Sequence, residues 1–201
     1  MNLHYGAGLM VGRGWHNCDG SPTLRLQRLP VLGAVFRRFL HPLFPKDVAY
    51  GNIVTGLEVE EDSCKAIYCC HVLEHLALED ARAALRNTYR YLETDGLFRI
   101  VVPDFEQQVA AYIADQSPGA LLDFLGYTHL GRRARPKGLF MRLREVFGNS
   151  YHLWIWDYKS LSQELKAIGF REIRRCEFGD CKDPAFQSVE SRPRFDWALA
   201  S

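Results

Sequence analysis

The pattern that most constrains the fold lies in the middle of the chain. An apolar run at 65–70 ends at His71 and leads into a polar stretch. Apolar residues then recur at spacings of three and four over 78–92, which predicts a helix. A second apolar run follows at 97–102. A strand, a helix and a second strand predict two parallel neighbours, with His71 at the carboxyl edge, where open sheets bind ligands.

Further elements follow from the same kind of pattern. Short apolar runs predict strands at 3–5, 15–19, 48–54, 170–178 and 195–199, the last two as an antiparallel pair. Helices are predicted at 31–41, 104–114, 119–125, 138–146 and 157–168. The link between the first two strands is too short for a crossover helix. Either it is an irregular loop or these strands are not neighbours. Strands that alternate with helices predict an α/β domain.

Composition is that of one globular domain covering residues 1–201. The 201 residues are 47% hydrophobic and 24% charged, as in ordinary globular proteins. No apolar run is long enough to span a membrane, and the first residues lack the features of a signal peptide. We therefore expect a cytoplasmic protein. The six cysteines form no C-x-x-C pair, so we expect reduced thiols and no zinc site.

Charge is unevenly distributed although the net charge is only +1. Two segments, 21–46 and 126–144, contain lysines and arginines but no aspartate or glutamate, so the rest of the chain carries a strongly negative net charge. We interpret 21–46 and 117–150 as basic, apolar insertions that bind an anionic, partly apolar substrate, with peripheral membrane contact. The alternative is a dimer contact or a helical lid, so the chain is a monomer or a homodimer. The segments lack regularly spaced aromatics, and we expect no specific nucleic-acid binding.

The first strand ends in a glycine turn that could bind a ligand. Gly6 and Gly8 surround Ala7, and glycine allows a ligand to approach the backbone closely. Asp19 follows the next strand, where a carboxylate can accept both hydroxyls of a ribose. Taken alone, the glycines indicate only a tight loop, and Asp19 indicates only a turn before Gly20.

Four motifs in order resemble class I S-adenosylmethionine-dependent methyltransferases of the short bacterial type. The first is LHYGAG…GWHNCDGSP, which resembles the family's glycine turn and its ribose-binding acid. The others are GNI…LEVEEDSCKAIYCCH, the VLEHL…YLETDGLFRIVVPD pair and YHLWIWD…GF. Together they cover nearly the whole chain apart from the two basic segments. The departures are Asn52 in place of the usual aspartate, a short glycine turn, and Ser63-Cys64-Lys65 before the strand.

The resemblance implies a fold, a cofactor and its contacts. The fold is a Rossmann-like three-layer sandwich with a mostly parallel sheet and an antiparallel C-terminal strand. The cofactor is S-adenosyl-L-methionine. The positions that match the family's cofactor site are Tyr5, Gly6, Ala7, Gly8, Asp19, Asn52, Ile53, Cys70 and His71. The Asn52 amide oxygen could accept from the adenine amino group as a neutral acceptor.

Three residues are candidates for proton removal during methyl transfer: His71, His152 and Asp104. Histidine titrates near neutral pH, but His71 could also line the pocket simply by packing, and Asp104 could simply cap a helix. Glu74 and His75 match the kind of groups that hold a metal in catechol-type methyltransferases. We favour a buried Glu74 that caps the helix start, and we expect no metal.

The sequence thus predicts an enzyme that methylates a small molecule or glycan, at oxygen rather than nitrogen. Two alternatives remain. One is a non-catalytic methyltransferase-like binding module with a degenerate cofactor site, which the three departures from the family pattern favour. The other is a nucleotide-sugar-binding enzyme that uses the same edge of the sheet without methyl transfer.

Overall fold

A six-stranded sheet organises the chain. The computed structural model describes residues 1–131, 138, 151–196 and 198–200. The strands are β1 (Asn2–Tyr5), β2 (His16–Asp19), β3 (Val48–Tyr50), β4 (Cys64–Cys70), β5 (Leu92–Pro103) and β6 (Ala198–Ala200). Their spatial order is β3-β2-β1-β4-β5-β6. Strands β1 to β5 pair in parallel, and β6 runs antiparallel to β5. The predicted α/β class, with a mostly parallel sheet and an antiparallel last strand, is confirmed.

Helices connect these strands in the described part of the chain. They are α1 (Pro22–Gln27), α2 (Gly33–Phe39), α3 (Leu78–Tyr91), α4 (Phe105–Ala114), α5 (Ala120–Tyr127) and α6 (Tyr158–Ile168). Short 3-10 helices occupy Leu73–His75, Pro184–Ser188 and Arg192–Arg194. Helices α3 and α6 begin and end close to their predicted positions. The helix predicted at 138–146 lies outside the described residues.

The apolar core has a layer on each face of the sheet. Alternate residues of a strand point to opposite faces, and β4 sends Ile67 and Cys69 to one face and Tyr68 to the other. The first face packs against α3 and α6. The second is covered by Trp15, Phe186 and their neighbours. No helix of the described residues is long and apolar enough to cross a membrane.

An irregular loop connects β1 to β2, which settles the alternative left open by the sequence. The two strands are parallel neighbours, with Leu3 opposite His16. The buried Asn17 side chain holds the loop in place, because its amide bonds both the N–H and the carbonyl of Gly12 and the carbonyl of Trp15. One satisfied side chain thus replaces the hydrogen bonds that a crossover helix would supply.

Three strand predictions are wrong in extent. In the described residues, the predicted strand at 170–178 forms only an isolated bridge between Cys176 and Ala200, and the last strand starts at Ala198 rather than at 195. Strand β3 ends at Tyr50 instead of 54. It stops there because the Asn52 side chain accepts from the backbone N–H of Val54 at 2.9 Å, which folds the chain into a local turn.

Candidate functional site

The strand order reverses between β1 and β4, which creates a crevice at the carboxyl ends of these strands. The predicted glycine turn follows β1, and His71 follows β4. The two segments touch, because a Cβ built on Gly6 would lie 2.0 Å from Cγ2 of Val72. The sequence therefore placed the glycine turn and His71 correctly at one edge.

The glycine turn needs its glycines for two different reasons. Gly6 and Gly8 have φ values of +68° and +58°, in the left-handed region that side chains disfavour. At Gly6 a side chain would also collide with Val72. At Gly8 a Cβ would meet no atom of the described residues within 4 Å. The surface over Gly8 is thus open to a ligand, whereas Gly6 is packed.

Asp19 connects the end of β2 to this turn. Its side chain accepts from the backbone N–H of Gly8 at 2.9 Å and from that of Ser21 at 2.8 Å. The residue is half-buried, and each carboxylate oxygen accepts from one of these amides. A carboxylate can accept about four hydrogen bonds, so this one keeps the capacity to bind two hydroxyls.

Asn52 and Ile53 lie next to Asp19 at the end of β3, since the N–H of Gly51 donates to the Asp19 carbonyl at 3.1 Å. The Asn52 amide oxygen already accepts from Val54, which leaves one lone pair for a ligand. The Ile53 side chain is 5% exposed and belongs to the core. Contact between these two residues and an adenine stays a prediction.

Three of the predicted cofactor contacts have side chains that point elsewhere. The Tyr5 hydroxyl accepts from the Thr88 hydroxyl at 3.1 Å, inside the core. Ala7 packs in a small apolar cluster with Leu24 and its neighbours. Cys70 is fully buried in β4, and burial raises the pKa of its thiol. These three side chains are therefore not available to a ligand, and contact through the backbone of the same residues stays a prediction.

These features fit the cofactor that the sequence implies. A half-buried carboxylate, fixed by two amides and with capacity for two more donors, suits a ribose diol. The open surface at Gly8 suits the close approach of a ligand to the backbone. Asn52 fits less well, because its acceptor oxygen is shared with Val54.

His71 is held on both sides of its ring. Nδ1 lies 2.9 Å from a carboxylate oxygen of Glu74, and Nε2 lies 2.8 Å from the Arg194 carbonyl. Burial lowers the pKa of His71, but the hydrogen bond and charge of Glu74, with the Arg194 carbonyl, outweigh it, and the net pKa is raised. Both ring nitrogens thus face acceptors, which favours the protonated imidazole.

Glu74 and Asp104 have roles that differ in part from the predictions. Glu74 is buried as predicted, but it does not cap a helix: it lies in the 3-10 helix Leu73–His75, and one carboxylate oxygen bonds His71. Asp104 does cap α4, accepting from Glu106 N–H at 3.0 Å, and its other oxygen accepts from Arg175 at 2.9 Å. A carboxylate engaged on both oxygens is better explained as a structural group than as a base.

A cavity of about 310 Å³ opens at the ends of β4 and β5, beside α4 and α5. Its walls include aromatic residues, histidines and carboxylates, namely Tyr112, Phe124, Tyr127, His71, His129, His152, Asp115, Asp123 and Asp196. No lysine or arginine of the described residues lines it. The cavity therefore suits a ligand with aromatic or apolar surface and hydroxyl groups, which carboxylates and histidines can bind.

His152, another of the three predicted candidates for proton removal, also lines this cavity. Its ring lies 4.8 Å from that of His129 and 5.1 Å from that of His75, measured between centroids. Burial lowers the pKa of His152 to about 4, and the neighbouring histidines add to this effect against the opposing charge of Glu74. The imidazole is therefore neutral near pH 7.

Several lining residues were missed by the sequence analysis. Tyr112 and Phe124 stack with ring centroids 5.1 Å apart and join α4 to α5. Their signal was available, because an aromatic residue on each of two successive helices after a predicted carboxyl edge is a plausible pocket wall. His129 gave no such signal, because it follows α5 at a backbone turn with φ of +54°.

Comparison with known proteins adds one firm result. Residues 42–100 match a protein family described as a methyltransferase domain. This match covers less than a third of the chain, and it agrees with the predicted methyltransferase family, enzyme class and cofactor S-adenosyl-L-methionine. No curated protein matches the sequence.

Solved structures that resemble the chain include two methyltransferases and the protein YcgJ. An S-adenosylmethionine-dependent methyltransferase from Archaeoglobus fulgidus is 13% identical, with TM-score 0.48, and the match covers 99% of this chain and 84% of that one. YcgJ from Bacillus subtilis is 18% identical, with TM-score 0.46 and coverages of 87% and 64%. Phosphoethanolamine N-methyltransferase 2 from Haemonchus contortus is 14% identical, with TM-score 0.47 and coverages of 94% and 36%. At TM-scores below 0.5, these likenesses add no support to the fold or the activity, which rest on the sheet order and the family match.

Proposed function

Because residues 42–100 match a methyltransferase domain, we propose that this chain methylates a hydroxyl group of a small molecule or glycan. The observation that carries the proposal is the cavity beside the β1–β4 crevice, with histidines and carboxylates on its walls. S-adenosylmethionine supplies a methyl group activated by its sulfonium. The protein must then hold the acceptor oxygen in line with that methyl and remove a proton.

The residues at the β1, β2 and β3 ends hold the cofactor in this proposal. The Asp19 carboxylate accepts hydrogen bonds from the two ribose hydroxyls, because the backbone N–H groups of Gly8 and Ser21 already fix its orientation. The open surface at Gly8 admits the amino-acid part. The adenine contacts the Asn52 amide oxygen, through its remaining lone pair, and the backbone of Ile53.

The cavity walls favour an acceptor with hydroxyl groups and an apolar or ring-shaped part. Tyr112 and Phe124 offer flat surfaces on which a sugar or aromatic ring can pack. Asp115, Asp123 and Asp196 are acceptors for hydroxyl donors, and they repel an anion. A phosphate of an anionic substrate would therefore lie outside this cavity.

Two histidines keep their place as candidates for proton removal. His71 and His152 both line the cavity, whereas Asp104 is engaged by Glu106 and Arg175. His71 can act as the base only in its neutral form with Nε2 unprotonated, and only if the Arg194 carbonyl, which lies 2.8 Å from Nε2, moves away. The Arg194 carbonyl does not restrict proton uptake by His152 in this way.

Calorimetry with S-adenosylmethionine and its demethylated product tests the cofactor part of the proposal. We expect micromolar binding of both ligands by the wild type and loss of binding in Asp19→Ala. A matched control is Asp183→Ala, which also removes a carboxylate that accepts a backbone N–H, that of Ala185 at 2.9 Å, but in a 3-10 helix. The control variant should bind like the wild type.

The non-catalytic binding module is favoured by one observation, the engagement of the Asn52 oxygen by Val54. Absence of binding of both ligands by the folded wild type would support this module and refute the enzyme. The acceptor atom is tested separately, with methyl-labelled cofactor and matched sugars that carry either a hydroxyl or an amine. Label on the hydroxyl sugar supports the proposal, and label on the amine alone contradicts it.

We also propose peripheral contact with an anionic membrane through the segment 21–46. Its apolar residues Val31, Leu32, Val35 and Phe39 are exposed by 53–93%, next to basic side chains without an acid. Arg28 is not available for this contact, because its guanidinium binds backbone carbonyls including that of Val48. The second basic segment lies largely outside the described residues.

Vesicle flotation tests this contact. We expect binding to anionic vesicles at low salt, little binding to neutral vesicles, and loss in a Val31→Ser/Phe39→Ser variant. Equal recovery with both vesicle types would contradict it, and would leave a dimer contact or a lid as the explanation of the exposed face. We propose a cytoplasmic location, which the free state of all six cysteines supports, and which cell fractionation would test.

A further inference from the structure

Three side chains behind the cavity form a cluster of potential metal ligands. Glu74, His75 and His152 each offer one ligand atom, and these atoms all lie within 4.8 Å of one another. They come from the 3-10 helix after β4 and from the segment before α6, so distant parts of the sequence meet here. One carboxylate and two imidazoles are a common ligand set for first-row transition metals.

The Glu74 carboxylate supplies an independent indication that a ligand belongs here. The residue is 1% exposed. One of its oxygens bonds His71, but Oε2 has no hydrogen-bond partner among the residues that the structure describes. A buried carboxylate oxygen without a partner is energetically costly, and such a group in a native protein calls for an explanation, such as a bound water or ion.

Both histidines are oriented as metal ligands usually are. Nδ1 of His75 lies 3.2 Å from the Tyr151 carbonyl, and a ring nitrogen of His152 bonds the Thr128 carbonyl. A carbonyl can only accept, so each of these nitrogens carries the proton and the other nitrogen of a neutral ring has a free lone pair. Backbone carbonyls orient metal-binding histidines in the same way.

The backbone fixes the two halves of the cluster to each other. The Glu74 carbonyl accepts from the N–H groups of Leu153 and Trp154, at 2.7 and 3.2 Å. His152 therefore lies beside Glu74 because the main chain is tied there, and not only because two side chains meet. A cluster built on such contacts is pre-organised for a ligand.

We propose that Glu74, His75 and His152 bind one divalent first-row transition-metal ion, of which Zn²⁺ is the representative. Imidazole nitrogens disfavour Mg²⁺ and Ca²⁺, which prefer oxygen ligands. In a tetrahedral site with metal–ligand distances of about 2.0–2.1 Å, the ligand atoms are about 3.3 Å apart. The side chains must therefore close by up to about 1.5 Å from their separation of up to 4.8 Å. This proposal replaces the sequence-based expectation of no metal.

The ion would lie at the wall of the cavity, because His152 also lines the cavity. Three protein ligands leave a tetrahedral metal one position for an outside oxygen. A hydroxyl oxygen bound there would lose its proton more readily. With the metal bound, neutral His71 would be the remaining candidate base, because His152 would have no free lone pair. This role in activating the acceptor rests on the proposed function, whereas the metal site itself does not.

Metal analysis of the purified protein tests the site without cofactor or acceptor. After treatment with a chelator, the protein is dialysed against Zn²⁺, Co²⁺ or Mg²⁺ and the bound metal is counted by mass spectrometry. We expect one Zn²⁺ or Co²⁺ per chain and no Mg²⁺. Bound Co²⁺ should show the visible spectrum of nitrogen and oxygen ligands, without a thiolate charge-transfer band.

Variants identify the ligands. Glu74→Gln, His75→Ala and His152→Ala should each weaken Zn²⁺ binding about tenfold or more. Two controls should bind like the wild type: His16→Ala, which removes an exposed imidazole, and Cys176→Ser/Cys181→Ser, which removes the two partly exposed thiols. Zn²⁺ should also raise the melting temperature of the wild type and His16→Ala, but not that of His75→Ala.

Three results would overturn the proposal: no stoichiometric Zn²⁺ or Co²⁺ in the wild type, unchanged binding in both His75→Ala and Glu74→Gln, or binding lost in the cysteine variant. If His152→Ala does not fold, the other two ligand variants still decide. A negative result here leaves the calorimetric test of the cofactor untouched, and a negative calorimetric result leaves the metal site untouched.

Discussion

The contact between Gly6 and Val72 gives a sharp test of how the crevice is built. Gly6→Ala places a side chain in the left-handed region, which costs about 1–2 kcal/mol. It also places a Cβ 2.0 Å from Cγ2 of Val72, and overpacking of this kind costs about 1–3 kcal/mol more. We therefore expect Gly6→Ala to lower the free energy of unfolding by about 2–5 kcal/mol.

Gly8→Ala is the matched control. Its φ of +58° is close to the +68° of Gly6, but in the part of the chain that the structure describes a Cβ at Gly8 meets no atom within 4 Å. Gly8→Ala should therefore lower the free energy of unfolding only by the cost of a side chain in the left-handed region, about 1–2 kcal/mol. Removing the Val72 methyl groups should relieve the collision, so Gly6→Ala in a Val72→Ala background should cost about as much as Gly8→Ala.

Urea unfolding of the four variants and the wild type measures these differences. The double variant Gly6→Ala/Val72→Ala should be more stable, by about 1–3 kcal/mol, than the sum of the two single losses predicts. Equal losses for Gly6→Ala and Gly8→Ala, with no coupling to Val72, would refute the reasoning, because they would mean that β1 and β4 do not meet at these residues.

Two further predictions concern ion pairs. Arg99 and Glu190 form a buried ion pair whose side chains are 4% and 2% exposed. Arg99→Met should therefore lower the free energy of unfolding, measured in urea, by about 3–5 kcal/mol, because it leaves the Glu190 charge buried without its partner. The double variant Arg99→Met/Glu190→Met should lose less than the single variant, and a double variant at least as unstable as the single one would contradict this. The hydrogen bonds from Arg82 hold the pKa of Glu164 below its ordinary value of 4.5, so the pair stabilises the fold above that value and the benefit disappears as pH falls through the lowered pKa. The wild type should therefore exceed Glu164→Gln in melting temperature at pH 7, with the gap closing towards pH 3, and a gap independent of pH would argue against the pair.

Patterns of local sequence predicted most of the sheet but not its connections. The helix at 78–92 and its two strands were predictable, because periodic apolar residues define a face and a direction. The link from β1 to β2 was not, because its order depends on one buried amide, that of Asn17. The strand at 170–178 was predicted from its composition, but it lacks a partner beyond the bridge at Cys176.

The candidate site likewise has one part that the sequence could predict and another that it could not. Gly6, Gly8, Asp19 and His71 were predictable as neighbours, because each follows a parallel strand whose carboxyl end lies at a common edge. The partners of these groups were not predictable. Nothing in the sequence shows that the Arg194 carbonyl would meet His71, more than a hundred residues away, or that Glu74 would keep an oxygen without a partner.

A crystal structure with the demethylated cofactor bound would show where the ribose lies. We expect both ribose hydroxyls within hydrogen-bonding distance of the Asp19 carboxylate, with the rest of the molecule over Gly8 and next to the cavity. A nucleoside bound elsewhere on the chain, or no nucleoside at this edge despite excess ligand, would contradict it.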